Sequence, residues 1–255
     1  SGNDYILGIP QLRTPPDGAS YTFGGHSLTI NTGGRFFYKG TGSAGTVTIA
    51  DLILNGGSIE HQNGSGDVFN LAGTLNVTAD STIWAKQGPI NIIGTLTGAG
   101  TITNPSSDGA GRTLTIAGAN LYAGSIINDG RFEVAENSAF NFLIGANGIN
   151  NSISGTGGET VYNGSFIFNL VGAGTTPGDS WLVAGAANQT YGSTFGLVAF
   201  TDNGGGVWTT TQKGALYEFN ANDGMLTVVP EPGVLVLSLL GGLGMLVGLR
   251  RSRKA

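Results

Sequence analysis

The sequence has no cysteine in its 255 residues, which excludes both disulfide staples and thiolate metal sites. Charge is also scarce, at 11% of positions. A charge-poor chain is disordered only when it also lacks β-branched and aromatic residues. Here Val, Ile, Leu, Phe and Thr recur at regular spacing through the first 229 residues, so a packed β structure is expected. Cations are sparse in that body, with seven Lys/Arg against fifteen Asp/Glu, a net charge of −8. No basic face can be assembled from so few, which excludes a nucleic-acid partner. The two histidines, His26 and His61, lie 35 positions apart and in no metal-ligand spacing. Both are expected in ordinary turn or surface roles. Glycine phrases such as Gly98-Ala99-Gly100 lack the Lys and Ser/Thr of a phosphate loop and read as corners, so no cofactor is expected.

The chain opens on Ser1-Gly2-Asn3-Asp4 with neither a basic n-region nor an apolar h-region after it. A removed signal, a longer parent protein, or both, are the expectation. Residues 1–20 read as a leader, because Pro10, Pro15 and Pro16 oppose a central strand and Pro16-Asp17-Gly18 is a turn signal.

What the sequence does have is glycine, 46 residues of it, and a short-strand, short-turn cadence from residue 21 to about 160. Ser27-Leu28-Thr29-Ile30-Asn31 alternates apolar and polar with period two. The same phrase returns at Gly73-Thr74-Leu75-Asn76-Val77, Gly94-Thr95-Leu96, Arg112-Thr113-Leu114-Thr115-Ile116 and Arg131-Phe132-Glu133-Val134. Leu52 to Leu75 is 23 positions, Leu75 to Leu96 is 21, and Leu114 to Phe132 is 18. A period of about 20 residues, with a strand-turn-strand in each unit, predicts a parallel β-helix or solenoid whose coils share one core. Glycine would supply the left-handed corners, and Asn would share them and form ladders between coils. The alternative is an antiparallel sandwich, whose strands recur at about 8–12 residues.

Residues 161–229 hold ten of the 22 aromatics and read as a separate small β module or cap. Its clearest feature is a hairpin, Leu216–Phe219 against Met225–Val229, closed by a loop ending in Asp223-Gly224.

The last 26 residues change character. Pro230-Glu231-Pro232-Gly233 is followed by an uncharged, mostly apolar run, Val234 to Leu249, and then by Arg250, Arg251, Arg253 and Lys254. Sixteen helical residues would span about 24 Å, short of a hydrocarbon core of about 30 Å. Thinning of the bilayer and snorkelling of Arg can absorb that mismatch. A single transmembrane helix over 234–249 is the expectation, with the basic stop in the cytoplasm and the body outside.

This order of parts resembles the PEP-CTERM sorting signal of Gram-negative and related environmental bacteria. The resemblance implies an exosortase, a membrane cysteine protease-transpeptidase, as partner, with Pro230, Glu231 and Pro232 as recognition residues and removal of the tail near them. The body is similar to autotransporter-type β-strand repeats. The expected localisation is the exported bacterial envelope, first as a single-pass membrane intermediate and then at the cell surface or outside it.

Three function classes follow. The leading expectation is a non-enzymatic structural or adhesive protein of the surface or matrix, with exopolysaccharide as a further partner. A polysaccharide lyase or hydrolase on the same scaffold needs convergent carboxylates. Its candidates are Glu60 with His61, Asp129, Glu133 and Glu136, although Arg131 and Glu133 read as a surface ion pair. Non-catalytic sugar binding would need Trp181, Trp208 and Tyr191 as an exposed stacking platform; the competing expectation is a hydrophobic core.

Overall fold

The computed structural model describes residues 2–9, 11–63, 67–107, 109 and 111–230. Among them every regular element is a strand, and the body is a parallel β-solenoid of about seven turns. The expected helix over 234–249 lies outside the described residues.

Each coil contributes to three strand faces. The first face begins with Asp4–Leu7, Ser27–Asn31 and the second half of Gly45–Asn55. It continues through the second half of Phe69–Ala79 to Thr95–Gly98. The second stacks Gln11–Arg13, Arg35–Tyr38, Ser58–His61, Ser81–Trp84, Ile102–Asn104 and Ile126–Asn128. Ile153 and Ala184 then extend it in register. The third includes Ile90–Ile92, Thr113–Ile116 and Arg131–Val134, all parallel. These parallel pairings exclude the antiparallel sandwich.

Alternation along each strand sends one residue inward, and stacking aligns inward residues into columns. Leu28, Leu52, Leu75 and Leu96 form one such column, all buried and all register partners in turn. Leu114 and Phe132 are register partners as well, but on the third face. The repeated phrase in the sequence thus mixes two faces of the same coil. Aromatic rings also pack inside the coils: Tyr38 stacks on Phe69 with centroids 4.5 Å apart and planes 3° from parallel.

Glycine shapes a corner between the third and first faces. Gly73 has φ of 91°, and a Cβ on Gly94 would run into the carbonyl oxygen of Gly73. A Cβ on Gly118 would strike the Gly94 carbonyl in the same way, so three successive coils approach there backbone to backbone. Asn does not share the left-handed corners; among the described residues the non-glycine positions of positive φ are Ala199 and Lys213. Asn makes ladders instead. Asn55 donates to Asn31 at 2.9 Å and Asn91 to Asn70 at 3.1 Å, each reaching the adjacent coil.

The structure places the ends differently from the sequence expectation. Asp4–Leu7 and Gln11–Arg13, within the expected leader, are the first rungs of two faces. The expected border near residue 160 falls within the strand Ile153–Tyr162, and the solenoid carries on to Ala184–Tyr191. The antiparallel sheet that follows has five strands in the order Ser180–Leu182, Met225–Val229, Ala215–Asn220, Val207–Gln212 and Thr201–Asp202. It includes the expected hairpin, whose register pairs Phe219 with Leu226. Its apolar side meets the last coils, where Phe219 lies 5.9 Å from the Phe166 ring and 6.3 Å from that of Tyr191.

Candidate functional site

Pro230 is exposed at the end of the strand Met225–Val229. Glu231 and Pro232, and the basic stop of Arg250, Arg251, Arg253 and Lys254, lie outside the described residues. The structural question is therefore what chemistry the body itself offers.

Most of the carboxylates proposed from sequence are engaged in separate local hydrogen bonds. Glu60 is buried, with Ser58 Oγ donating to one oxygen at 3.0 Å and Gln62 Nε2 to the other at 2.6 Å. Asp129 accepts from the Thr156 N–H at 3.0 Å. Glu133 accepts from Asn163 Nδ2 at 2.8 Å, and Glu136 stands exposed in a turn. Arg131 does not pair with Glu133 but with Glu159, its register partner one coil on. Strand alternation correctly puts Phe132 inside, yet it cannot say which neighbouring coil a surface charge will face. Among the described residues no three His, Asp or Glu side chains are grouped to hold a metal ion.

The two histidines differ from each other. His26 is on the surface, where its Nδ1 lies 3.0 Å from Asp4 Oδ1 while Ser27 Oγ donates to the same oxygen at 2.6 Å. Those two bonds, the hydroxyl's first, hold the Asp4 carboxyl below its ordinary range. Ser, His and Asp meet here, but the hydroxyl is spent on the carboxylate instead of the imidazole, so no nucleophile is generated.

His61 is not the surface residue expected. It is fully buried in register with Tyr38, ring centroids 5.1 Å apart. Nε2 donates to the Asp67 carbonyl at 2.6 Å, and Nδ1 faces the Asn63 N–H at 3.4 Å. That arrangement suits the neutral ring, since a proton on Nδ1 would oppose the Asn63 donor. Burial lowers its pKa from 6.5, with Arg112 and Lys39 pushing the same way and Asp67 opposing. The unfolded chain then binds a proton before the folded one does. Stability contributed by the neutral ring is present above about 6.5 and falls as the pH drops below it. The expected result is a thermal midpoint that declines between about pH 7 and pH 5, and a flatter profile in His61→Gln. Equal slopes in the two proteins would show that His61 does not carry the effect. Acid effects from Asp4 and Asp80, both with lowered pKa values, belong to a lower window.

Of the two readings of the aromatics, the structure shows the hydrophobic core and not the sugar platform. Trp181 is fully buried and donates Nε1 to the Ala146 carbonyl at 2.8 Å. Trp208 is 9% exposed and packs edge-on against Phe195 at 5.3 Å. Tyr191 sits among Tyr162, Phe195 and Phe219. The aromatic enrichment seen in the sequence belongs to the joint between the last coils and the antiparallel sheet.

A polar concavity of about 620 Å³, missed in the sequence, opens beside that joint between Gln189 and Tyr191 of the last coil and Asn222 and Asp223 of the hairpin loop. Asp223 is already engaged, accepting from the Met225 N–H at 2.9 Å. No family model matches the chain, and neither a curated protein nor a solved structure matches it.

Proposed function

We propose that the chain is a structural or adhesive component of an exported bacterial surface or matrix, delivered by a PEP-CTERM-type tail. The observation that carries the first half is the construction of the body. A solenoid of stacked coils offers long faces whose outward positions are mostly Thr, Asn, Ser and Gly, with carboxylates engaged singly in local hydrogen bonds. Such faces suit extended contact with a polymer such as exopolysaccharide, over many weak sites, in preference to one reacting centre.

The second half is supported by the order Pro230-Glu231-Pro232, apolar Val234 to Leu249, and Arg250, Arg251, Arg253 and Lys254. The strand Met225–Val229 ends the body directly before the motif, and Pro230 at its end is exposed. An exosortase in the membrane would then meet the Pro-Glu-Pro motif close to a folded domain. Mass spectrometry of the mature C-terminus from native cells tests the reading. A terminus within a few residues of Pro232 is expected; persistence of Val234 to Ala255 in the mature protein would overturn processing.

A further inference from the structure

On the last coils lies an apolar groove of about 400 Å³, walled by Leu143, Ile144, Ile149 and Val171, with Asn150 and Asn169 on its rim. Its apolar side chains are held out in water: Leu143 is 43% exposed, Ile149 65% and Val171 84%. Loose loops are not the reason. The turn that presents Ile149 is closed by Ile149 N–H to the Ala146 carbonyl and Gly145 N–H to the Ile149 carbonyl, both 2.8 Å. Val171 is fixed by its N–H, which donates to Asn169 Oδ1 at 3.1 Å. A preformed, exposed apolar groove marks a contact site.

The body's last strand ends beside this groove. Val228 exchanges 2.8 Å backbone bonds with Gly178 and Asp179. The next residue, Ser180, accepts from the Gly148 N–H at 3.0 Å, and its own N–H reaches Asn147 Oδ1 at 2.8 Å. The exit at Val229 is thus two hydrogen-bonded steps from the turn carrying Ile149. Four residues, Pro230 to Gly233, separate that exit from the apolar run, a reach of about 13 Å when extended. Charge agrees as well. Lys213 Nζ stands at the Val171 wall, donating to the Val171 and Ala173 carbonyls at 3.1 and 2.8 Å, and Glu231 is the one acidic side chain of the tail.

We infer that this groove receives the leading apolar residues of the chain's own tail, Val234 to Leu240, with Glu231 drawn toward Lys213, whenever the tail is in water. The inference rests on reading residues 230–255 as an apolar sorting tail. It gives the groove the role of a shield, covering part of that segment before the bilayer takes it.

The absence of cysteine makes the test direct. In the full-length chain, Val171→Cys with Leu237→Cys introduces the only two thiols, and Ile6→Cys with Leu237→Cys provides a reference at the opposite end of the solenoid. Val171 and Ile6 are 84% and 73% exposed, so neither replacement disturbs the core. Under dilute, detergent-free oxidation, the 171/237 pair is expected to close an intramolecular disulfide at least about tenfold faster than the 6/237 pair, because docking raises the effective concentration. Equal rates, or disulfides mainly between two molecules, would overturn the inference. Mass spectrometry of the mature terminus remains the separate check on sorting. Equal rates with a processed terminus would sink the groove and leave the sorting signal standing.

Discussion

Phe166→Ala is expected to cost about 3–5 kcal/mol and to split the unfolding transition. Phe166 is fully buried on the strand Ser165–Asn169, in register with Phe140 and Leu197. Its ring touches Tyr162 at 4.8 Å, Phe142 and Phe195 at 4.9 Å, and Phe219 of the antiparallel sheet at 5.9 Å. One side chain therefore joins successive coils to one another and the solenoid to its neighbouring sheet. Removing it leaves a cavity walled by rigid rings that cannot close in, which places the loss at the upper end for a core truncation. Coils contact only their neighbours, so damage near one end need not spread to the other. The last coils and the antiparallel sheet should melt first, with the coils before residue 100 following near the wild-type midpoint. Guanidinium titration followed by circular dichroism and aromatic fluorescence reads both effects. Ile127→Ala, an outward position 38% exposed, should stay within about 0.5 kcal/mol. A loss below about 1 kcal/mol in Phe166→Ala would show that the solenoid and sheet do not share a core there.

The solenoid was readable in the sequence for a reason visible in its columns. An inward residue must be apolar once per coil, so Leu52, Leu75 and Leu96 mark the period, and the structure pairs all three. Which of three faces a strand occupies leaves no such mark. Leu96 and Leu114 sit in similar Thr-Leu-Thr phrases yet lie on different faces, because a coil repeats the same alternation on each of its sides. Lateral partners are equally hidden. Arg131 and Glu133 are two apart on one strand, but the pairing goes to Glu159, the register partner of Arg131 on the next coil. His61 escaped for a related reason. Its inward position follows from Ile59 two residues before it, but a histidine carries no apolar signal, and its neutral state depends on the Asp67 carbonyl and the Asn63 N–H. The aromatic clustering after residue 160 belongs to the joint, where the rings fasten the last coils to the antiparallel sheet.

The second large effect is expected from a single buried amide. Asn128 is 1% exposed; its Oδ1 accepts from Asn104 Nδ2 at 2.9 Å. Its Nδ2 donates to Thr160 Oγ1 at 2.9 Å and to the Glu159 carbonyl at 3.0 Å. Three consecutive coils are thereby linked at the corner between the second and third faces, beside the backbone bonds from the Asp129 and Gly130 N–H groups to the Asn104 carbonyl. Asn128→Leu keeps the volume but strands the Glu159 carbonyl and the Thr160 hydroxyl away from water. Each orphaned group costs about 1–3 kcal/mol, so a loss of about 3 kcal/mol is expected. Asn104 keeps its other bond, from Nδ2 to the Arg131 carbonyl at 3.0 Å, which limits the damage on that side. Adding Thr160→Val removes one orphan, so the double variant should be more stable than the sum of the single losses by about 1 kcal/mol. Strict additivity would mean that the Asn128–Thr160 bond contributes nothing. The same ladder explains how a charge-poor solenoid can hold its corners without disulfides: buried amides do between coils what a covalent link would do in a shorter secreted domain, and they do so with residues the sequence has in abundance.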